Sequence, residues 1–209
     1  MMDLESARSW MAYYGSGIEL REDELNRLDA ALGDGDFGAS MQRGMTAVSE
    51  AMAPNEQGSI GELFKTVGMT LVSAMGGTSG PLVGTLFLRT GMTLGEVTEV
   101  GVEELAAALR AGSEGVMALG HATLGDKTMI DALLPAIDAL EGSSTVSMAQ
   151  AAGLAASAAR DAAEATSELR ARKGRASYVG DGGVGHIDPG AMGVSILFDA
   201  LDQAVGRSS

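Results

Sequence analysis

The 209-residue chain contains no cysteine, which excludes disulfides, thiolate nucleophiles and Cys-ligated zinc. Aromatic residues make up only 4% of it and prolines number four. A core must therefore be assembled from Ala, Leu, Val and Met, a composition that favours helices over sheets. Basic residues are scarce too. Lys and Arg total 14 against 28 Asp and Glu, for a formal net charge of −14. A general binder of nucleic-acid backbones needs the opposite sign, so no nucleic-acid partner is expected. Any anionic ligand must be held locally, by metal ions, backbone N–H groups or a few basic side chains. Long apolar runs are missing as well. The Ala-rich stretch from Ala149 to Ala165 is broken by Gln150, Arg160, Asp161 and Glu164, so it does not read as membrane-spanning. The start, Met1-Met2-Asp3-Leu4-Glu5, is acidic and unlike a signal peptide. A cytoplasmic protein with no membrane partner is the expectation.

What is present is a 45% share of hydrophobic residues, enough for the core of one domain spanning 1–209. These residues recur at helical spacing. Leu4, Ala7, Met11 and Tyr14 share a face, as do Leu25, Leu28 and Leu32. A stripe of Met41, Met45, Val48 and Met52 stops before Pro54. Six further segments follow, the seventh containing Pro135, the eighth opened by a Ser147–Gln150 capping box and the ninth by Asp188-Pro189. No segment alternates as a strand would. The predicted fold is all-α.

The connections are uneven. Those after the second, fourth, sixth and eighth segments, roughly 33–38, 76–80, 120–127 and 172–188, hold most of the glycine clusters and unusual polar residues. In a bundle that is antiparallel throughout, alternate loops share an end. All four would then meet at one rim.

The sharpest motif is LDAALGDGDFG, Leu28 to Gly38. Asp29, Asp34 and Asp36 place three carboxylates within eight residues, and the intervening glycines let the backbone turn tightly. Such crowding suits a hard divalent cation with oxygen ligands. A solvated Asx turn with Asp36 as N-cap fits the residues equally well. Gly33-x-Gly35-x-x-Gly38 and Gly180-x-Gly182-x-x-Gly185 have dinucleotide-fingerprint spacing but follow no strand. An EF-hand begun at Asp34 fails at Gly38 and Met45. Gly120 to Thr128 is one inserted Asp away from a P-loop and also lacks the strand. Gly76-Gly77-Thr78-Ser79-Gly80-Pro81 could cradle a phosphate at a helix start or form a tight turn. Arg172-Lys173-Gly174-Arg175 is a basic cluster in an acidic chain, open to phosphate binding or to helix C-terminal compensation. His186 lacks the partners of a catalytic triad.

The ordered segments LDAALGDGDFG, GGTSGPLVGTLFLR, GDKTMIDALLP, ARKGRASYVG and GHIDPGA resemble the nucleotide-binding L subunit of bacterial dihydroxyacetone kinases over nearly the whole chain. The resemblance implies an up-and-down barrel of about eight antiparallel helices with the nucleotide at one end. It implies that Asp29, Asp34 and Asp36 hold two Mg²⁺ ions bridging the phosphates of ADP or ATP, with Arg175 as a further catalytic residue. Phe37, Gly38, Ala39, Ser40, Thr78 and Ser79 would line the phosphate and ribose region. Gly120, Met129, Arg175, Asp188, Pro189 and Gly190 would complete the pocket. The acceptor would sit on a separate K-type subunit, so the chain alone would be inactive. A phosphohistidine M-type subunit would recharge bound ADP in phosphoenolpyruvate-linked systems, and a homodimer is a further expected state. Where the family pattern has His and then Asn, this chain has Phe37 and Ser40. That widens the expected acceptor from dihydroxyacetone to a related small keto-sugar. It also leaves open a nucleotide-loaded regulatory subunit without turnover.

Overall fold

The computed structural model describes residues 1–53 and 57–206; Pro54 and the last three residues of the predicted 1–209 domain lie outside them. Nine α-helices account for most of the described chain. They are α1 (Leu4–Leu20), α2 (Glu22–Leu32), α3 (Phe37–Met52), α4 (Ile60–Ala74), α5 (Ser79–Leu94), α6 (Val102–Gly120), α7 (Ile130–Glu141), α8 (Met148–Ala165) and α9 (Pro189–Gly206).

Several of their starts are set by short polar side chains. Asp3 accepts from Ser6 N at 2.8 Å to open α1, and Ser59 accepts from Glu62 N at 3.2 Å to open α4. The Ser147–Gln150 box opens α8 as the spacing predicts. Asp188 Oδ2 accepts from Ala191 N at 2.8 Å ahead of Pro189, the first residue of α9. Pro135 lies inside α7 without ending it. Among the described residues the one stretch of sheet is a pair of two-residue strands, β1 (Met2–Asp3) and β2 (Glu99–Val100), joined antiparallel. Two residues are too few to leave an alternating pattern in the sequence.

Eight helices form a closed ring in which α1 packs on α3, each helix from α3 to α8 packs on the next, and α9 returns to α1. Inside it the only tryptophan, Trp10, is fully buried and edge-on to Phe64, with ring centroids 5.4 Å apart, and its Nε1 donates to Leu197 O at 2.8 Å. Six alanines of α8 have no exposed surface. Small side chains let that helix approach α7 and α9 closely, which is how a core poor in aromatics reaches native density.

The ninth helix, α2, is not a stave of this ring. The β1–β2 pairing fixes the start of α1 beside the α5–α6 connection, and α1 ends where Arg21 Nη2 donates to Met192 Sδ at 3.0 Å, in the first turn of α9. The chain breaks helix only at Arg21, so α2 continues at the α9 start and packs on α3 and α9. A bundle antiparallel throughout would have begun α1 at the rim. It begins at the opposite end, and α2 absorbs the difference. The alternation from α3 to α9 is unaffected, so the ends of α2, α4, α6 and α8 and the starts of α3, α5, α7 and α9 meet at one rim.

Candidate functional site

The rim is built outward from the end of α2. Gly33 N donates to Asp29 O at 2.5 Å, closing the helix, and Gly35 takes a positive φ of 77° that a residue with a side chain rarely adopts. The chain thereby doubles back over Asp29. Its Oδ2 accepts from the N–H groups of Asp36 at 3.0 Å and Phe37 at 3.2 Å. Asp29 therefore caps α3, and Asp36 makes no side-chain cap bond of its own. Asp36 thus holds the N-cap position that the Asx-turn alternative gave it, without that alternative's side-chain bond. One carboxylate oxygen from each of Asp29, Asp34 and Asp36 lies within 4.8 Å of the others, with Asp29 half-buried and the other two exposed.

Three like charges at that spacing repel by about 1 kcal/mol per pair even in bulk water. Part of the repulsion is offset by Arg175, whose Nη1 lies 2.6 Å from Asp34 Oδ2. Arg175 opens a 3-10 turn, Arg175–Tyr178, in the α8–α9 connection. The next residue, Ala176, is buried with Ala171 against Leu32 at the end of α2. This small apolar contact carries the basic segment to the acidic loop.

The first turn of α3 is held by a residue that sequence patterning missed. Asn26 Oδ1 accepts from Ala39 N at 3.1 Å, and the backbone of Gly38 lies so close to Glu22 O and Asn26 that a Cβ there would clash. Asn26 sits on the polar face of α2 among charged residues, where nothing in the sequence separates it from a solvated side chain. The N–H groups of Phe37 and Ala39 are thus spent inside the protein. The Phe37 ring turns toward α9, where a Cβ on Gly193 would lie 3.5 Å from it. Ser40 is buried, and among the described residues its Oγ has no hydrogen-bond partner.

The other rim loops are tied together by Lys127. This side chain is 1% exposed, with Nζ donating to Thr166 O at 2.6 Å and to His186 O. The lysine of the P-loop-like stretch is thus a structural tie between the α6–α7 and α8–α9 connections. Burial depresses its ammonium below the ordinary lysine value, while Asp188, Asp181 and Asp131 oppose that shift. Asp131 accepts from Gly125 N at 2.5 Å and Thr128 N at 2.7 Å, and Asp126 accepts from Thr123 N at 2.9 Å. Arg172 N donates to Asp126 O at 3.1 Å, joining the basic segment to this loop. Asp188 keeps some surface, but its carboxyl is hemmed in, and burial pushes it up to about 7.

The structure therefore brings Asp29, Asp34, Asp36 and Arg175 into direct contact or near it. It seats Gly190 against Met129, where an added Cβ would lie 3.3 Å from Met129 Cβ, and Gly120 against Leu82 in the first turn of α5. Thr78 is exposed and Ser79 half-buried at the start of α5; among the described residues neither side chain makes a hydrogen bond that ties it to the acidic loop.

The DAK2 domain family matches residues 31–203. The chain is 37% identical over 201 residues to the ADP-binding subunit DhaL of a PEP-dependent dihydroxyacetone kinase from Listeria innocua, with 96% of each chain covered. It is 39% identical over 195 residues to the corresponding DhaL subunit of Escherichia coli, covering 92% of this chain and 93% of that one. Among solved structures it is similar to the dihydroxyacetone kinase of C. freundii in complex with AMP-PNP and Mg²⁺, at a TM-score of 0.75 and 28% identity. That alignment covers 93% of this chain and 33% of the C. freundii chain, so the chain spans about a third of that longer protein. With most of its length inside the matched domain and its full-length relatives above 30% identity, the chain belongs to the DAK2-domain family.

Proposed function

We infer that this chain is the Mg-nucleotide-binding subunit of a dihydroxyacetone-type sugar kinase. It acts as one nucleotide-binding domain in the cytoplasm and passes the terminal phosphoryl group to dihydroxyacetone or a related small keto-sugar held on a separate K-type subunit. The observation that carries the reading is the convergence of the Asp29, Asp34 and Asp36 carboxylates within 4.8 Å at the rim where four helices start. Three hard oxygen donors with room for further ligands fit Mg²⁺, which takes a few carboxylates and completes its shell with phosphate oxygens. Held by that triad, two Mg²⁺ ions would supply charge neutralisation to the polyphosphate and to the transferring group.

This chain's own residues do the positioning. Asp29 joins the triad to the α3 start through two N–H bonds, so the carboxylates and the helix terminus move as one unit. Ser40 offers a buried hydroxyl in the same turn, and Arg175 a guanidinium beside Asp34. Thr78, Ser79, Gly120, Met129 and the Asp188-Pro189-Gly190 turn line the remaining rim. The DhaL relatives are named as ADP-binding subunits of PEP-dependent kinases, which favours tightly held ADP recharged by a phosphohistidine M-type subunit over freely exchanging ATP.

A separate acceptor-bearing partner also fits the surface. Leu119 in the last turn of α6 and Leu124, Tyr178 and Val184 in the rim loops are exposed, with Tyr178 90% exposed. In this reading the K-type subunit covers these side chains. None of the described helices is long and apolar enough to cross a membrane. The test is calorimetric titration of Mg-ADP into the wild type and Asp34→Asn, together with phosphoryl transfer after a K-type subunit is added. Wild-type binding that Asp34→Asn abolishes, and turnover only in the mixture, are the expected results. Equal affinity in both proteins would overturn the reading.

A further inference from the structure

Arg175 and a divalent cation compete for one carboxylate. The guanidinium lies 2.6 Å from Asp34 Oδ2, and Asp34 also supplies one of the three oxygens that converge within 4.8 Å. With Arg175 in place the cluster carries a local charge of about −2 rather than −3, counting one unit for each of the three carboxylates and the guanidinium. A free cation is drawn more weakly to the smaller charge. It must also share Asp34 with a second cation, or displace it.

A cation that arrives with a polyphosphate meets a different balance. The phosphate oxygens give the guanidinium a planar, bidentate partner that is charge-assisted and matched to its geometry. Arg175 is built to make that exchange. Its side chain is 67% exposed, so turning it breaks no packing. Gly174, just before it, holds a left-handed φ of 64°, and Ala176, just after it, is buried against Leu32 and Ala171. The backbone is thereby anchored while the side chain is free to change partner.

Resting on the metal–nucleotide reading above, we propose that Arg175 is a specificity-determining residue that makes the site select a metal–polyphosphate complex over the free divalent ion. Its pairing with Asp34 suppresses cation binding until phosphate oxygens are there to take the guanidinium. The substrate class implied is the preformed metal–nucleoside di- or triphosphate rather than metal and nucleotide in succession.

The experiment compares the wild type, Arg175→Ala and Asp34→Asn in two titrations. Mn²⁺ alone is followed by the loss of its free electron-spin-resonance signal, and Mg-ADP is followed by calorimetry. An exposed ion pair of this kind is worth a small factor, so Arg175→Ala should bind Mn²⁺ alone about two- to fivefold tighter. The same variant should bind Mg-ADP about tenfold more weakly, because a charge-assisted partner of the phosphates is gone. The opposite signs set this apart from simple damage to the site, which would weaken both. Mn²⁺ affinity unchanged or weaker in Arg175→Ala, or unchanged Mg-ADP affinity, overturns the proposal. If Asp34→Asn keeps wild-type affinity for both ligands, the metal reading itself fails and this proposal with it. If Asp34→Asn loses both while Arg175→Ala shows no opposed shift, only this proposal fails.

Discussion

Replacing Asp36 by Asn should make the protein slightly more stable without ligand and much less responsive to it. Asp36 makes no cap bond to α3 and is exposed, so the change removes no hydrogen bond within the protein. It does remove two repulsions. At 4.8 Å, each like-charge pair costs about 0.9 kcal/mol in bulk water. Screening at physiological salt roughly halves this, leaving about 1 kcal/mol for the two pairs together. Against it stands the favourable placement of a negative charge at the start of α3, worth about 0.5 kcal/mol at an exposed helix terminus. The net gain of about 0.5 kcal/mol corresponds to a rise of about 1–2 °C in Tm for a chain of this size. Adding Mg-ADP at a hundred times its Kd should stabilise the wild type by about 2.7 kcal/mol, or roughly 5–11 °C. In the proposed function the variant has lost a metal ligand and should gain far less, so the two melting curves exchange order between EDTA and Mg-ADP. Scanning calorimetry of both proteins in both buffers is the assay. A variant that melts several degrees below the wild type in EDTA, or that gains as much from Mg-ADP, would show that the crowded carboxylates are not a cation site.

Lys127→Met takes the donor from His186 O and leaves Thr166 O only its bond from Leu169 N, and should lower stability by about 2 kcal/mol, a fall of roughly 4–8 °C seen by circular-dichroism melting. An unchanged Tm would mean that the lysine does not tie the loops. Asp188 titrates near 7 in the folded protein, above its ordinary value of 3.8, so the folded state binds the extra proton. That stability is fully present below pH 4 and is lost as pH rises through 7. Between pH 5 and 8.5 the wild type should therefore lose one to a few kcal/mol relative to Asp188→Asn, which keeps an acceptor for Ala191 N. A parallel pH dependence of the two Tm values would refute this. Asn26→Ala should cost about 1 kcal/mol and weaken Mg-ADP binding several-fold, whereas Asn26→Asp, which keeps an acceptor for Ala39 N, should restore part of the affinity in the same calorimetric titration.

The all-helical fold was legible because its evidence is repetitive. Met41, Met45 and Val48 in α3 and Leu63, Val67 and Leu71 in α4 are all buried, as their spacing requires. Capping residues mark starts just as locally: Ser147 and Asp188 each sit within four residues of the N–H they accept. The direction of α1 was not legible. It depends on Met2 and Asp3 pairing with Glu99 and Val100, almost a hundred residues away, and two residues of strand carry no pattern. The place of α2 was hidden for the same reason. A stripe of Leu25, Leu28 and Leu32 announces an amphipathic helix, yet it cannot tell whether the partner is the side of a bundle or its end. Only Leu25 and Leu32 are buried, Leu25 in the main core and Leu32 in the small cluster with Ala171 and Ala176.

The rim divides along the same line between local and distant causes. The closeness of Asp29, Asp34 and Asp36 follows from eight residues of chain and two glycine-rich turns, so it could be read from spacing. The contacts that give the cluster its character come from elsewhere in the sequence. Arg175 reaches Asp34 across 141 positions, and the sequence shows only that it is basic, not whether it faces phosphate or a helix end. Lys127 is the reverse case. Beside Gly125 and Thr128 it looks like a phosphate-binding lysine, and only the arrival of Thr166 O and His186 O on its ammonium shows that its charge is already spent. In an acidic chain with few cations, the partner of each lysine and arginine decides which of them remains for an anionic ligand. Lys127 is buried between backbone carbonyls, whereas Arg175 rests on a carboxylate at the surface. The exposed pair is the weaker one, so in the proposed function Arg175 rather than Lys127 is the cation that an incoming phosphate recruits.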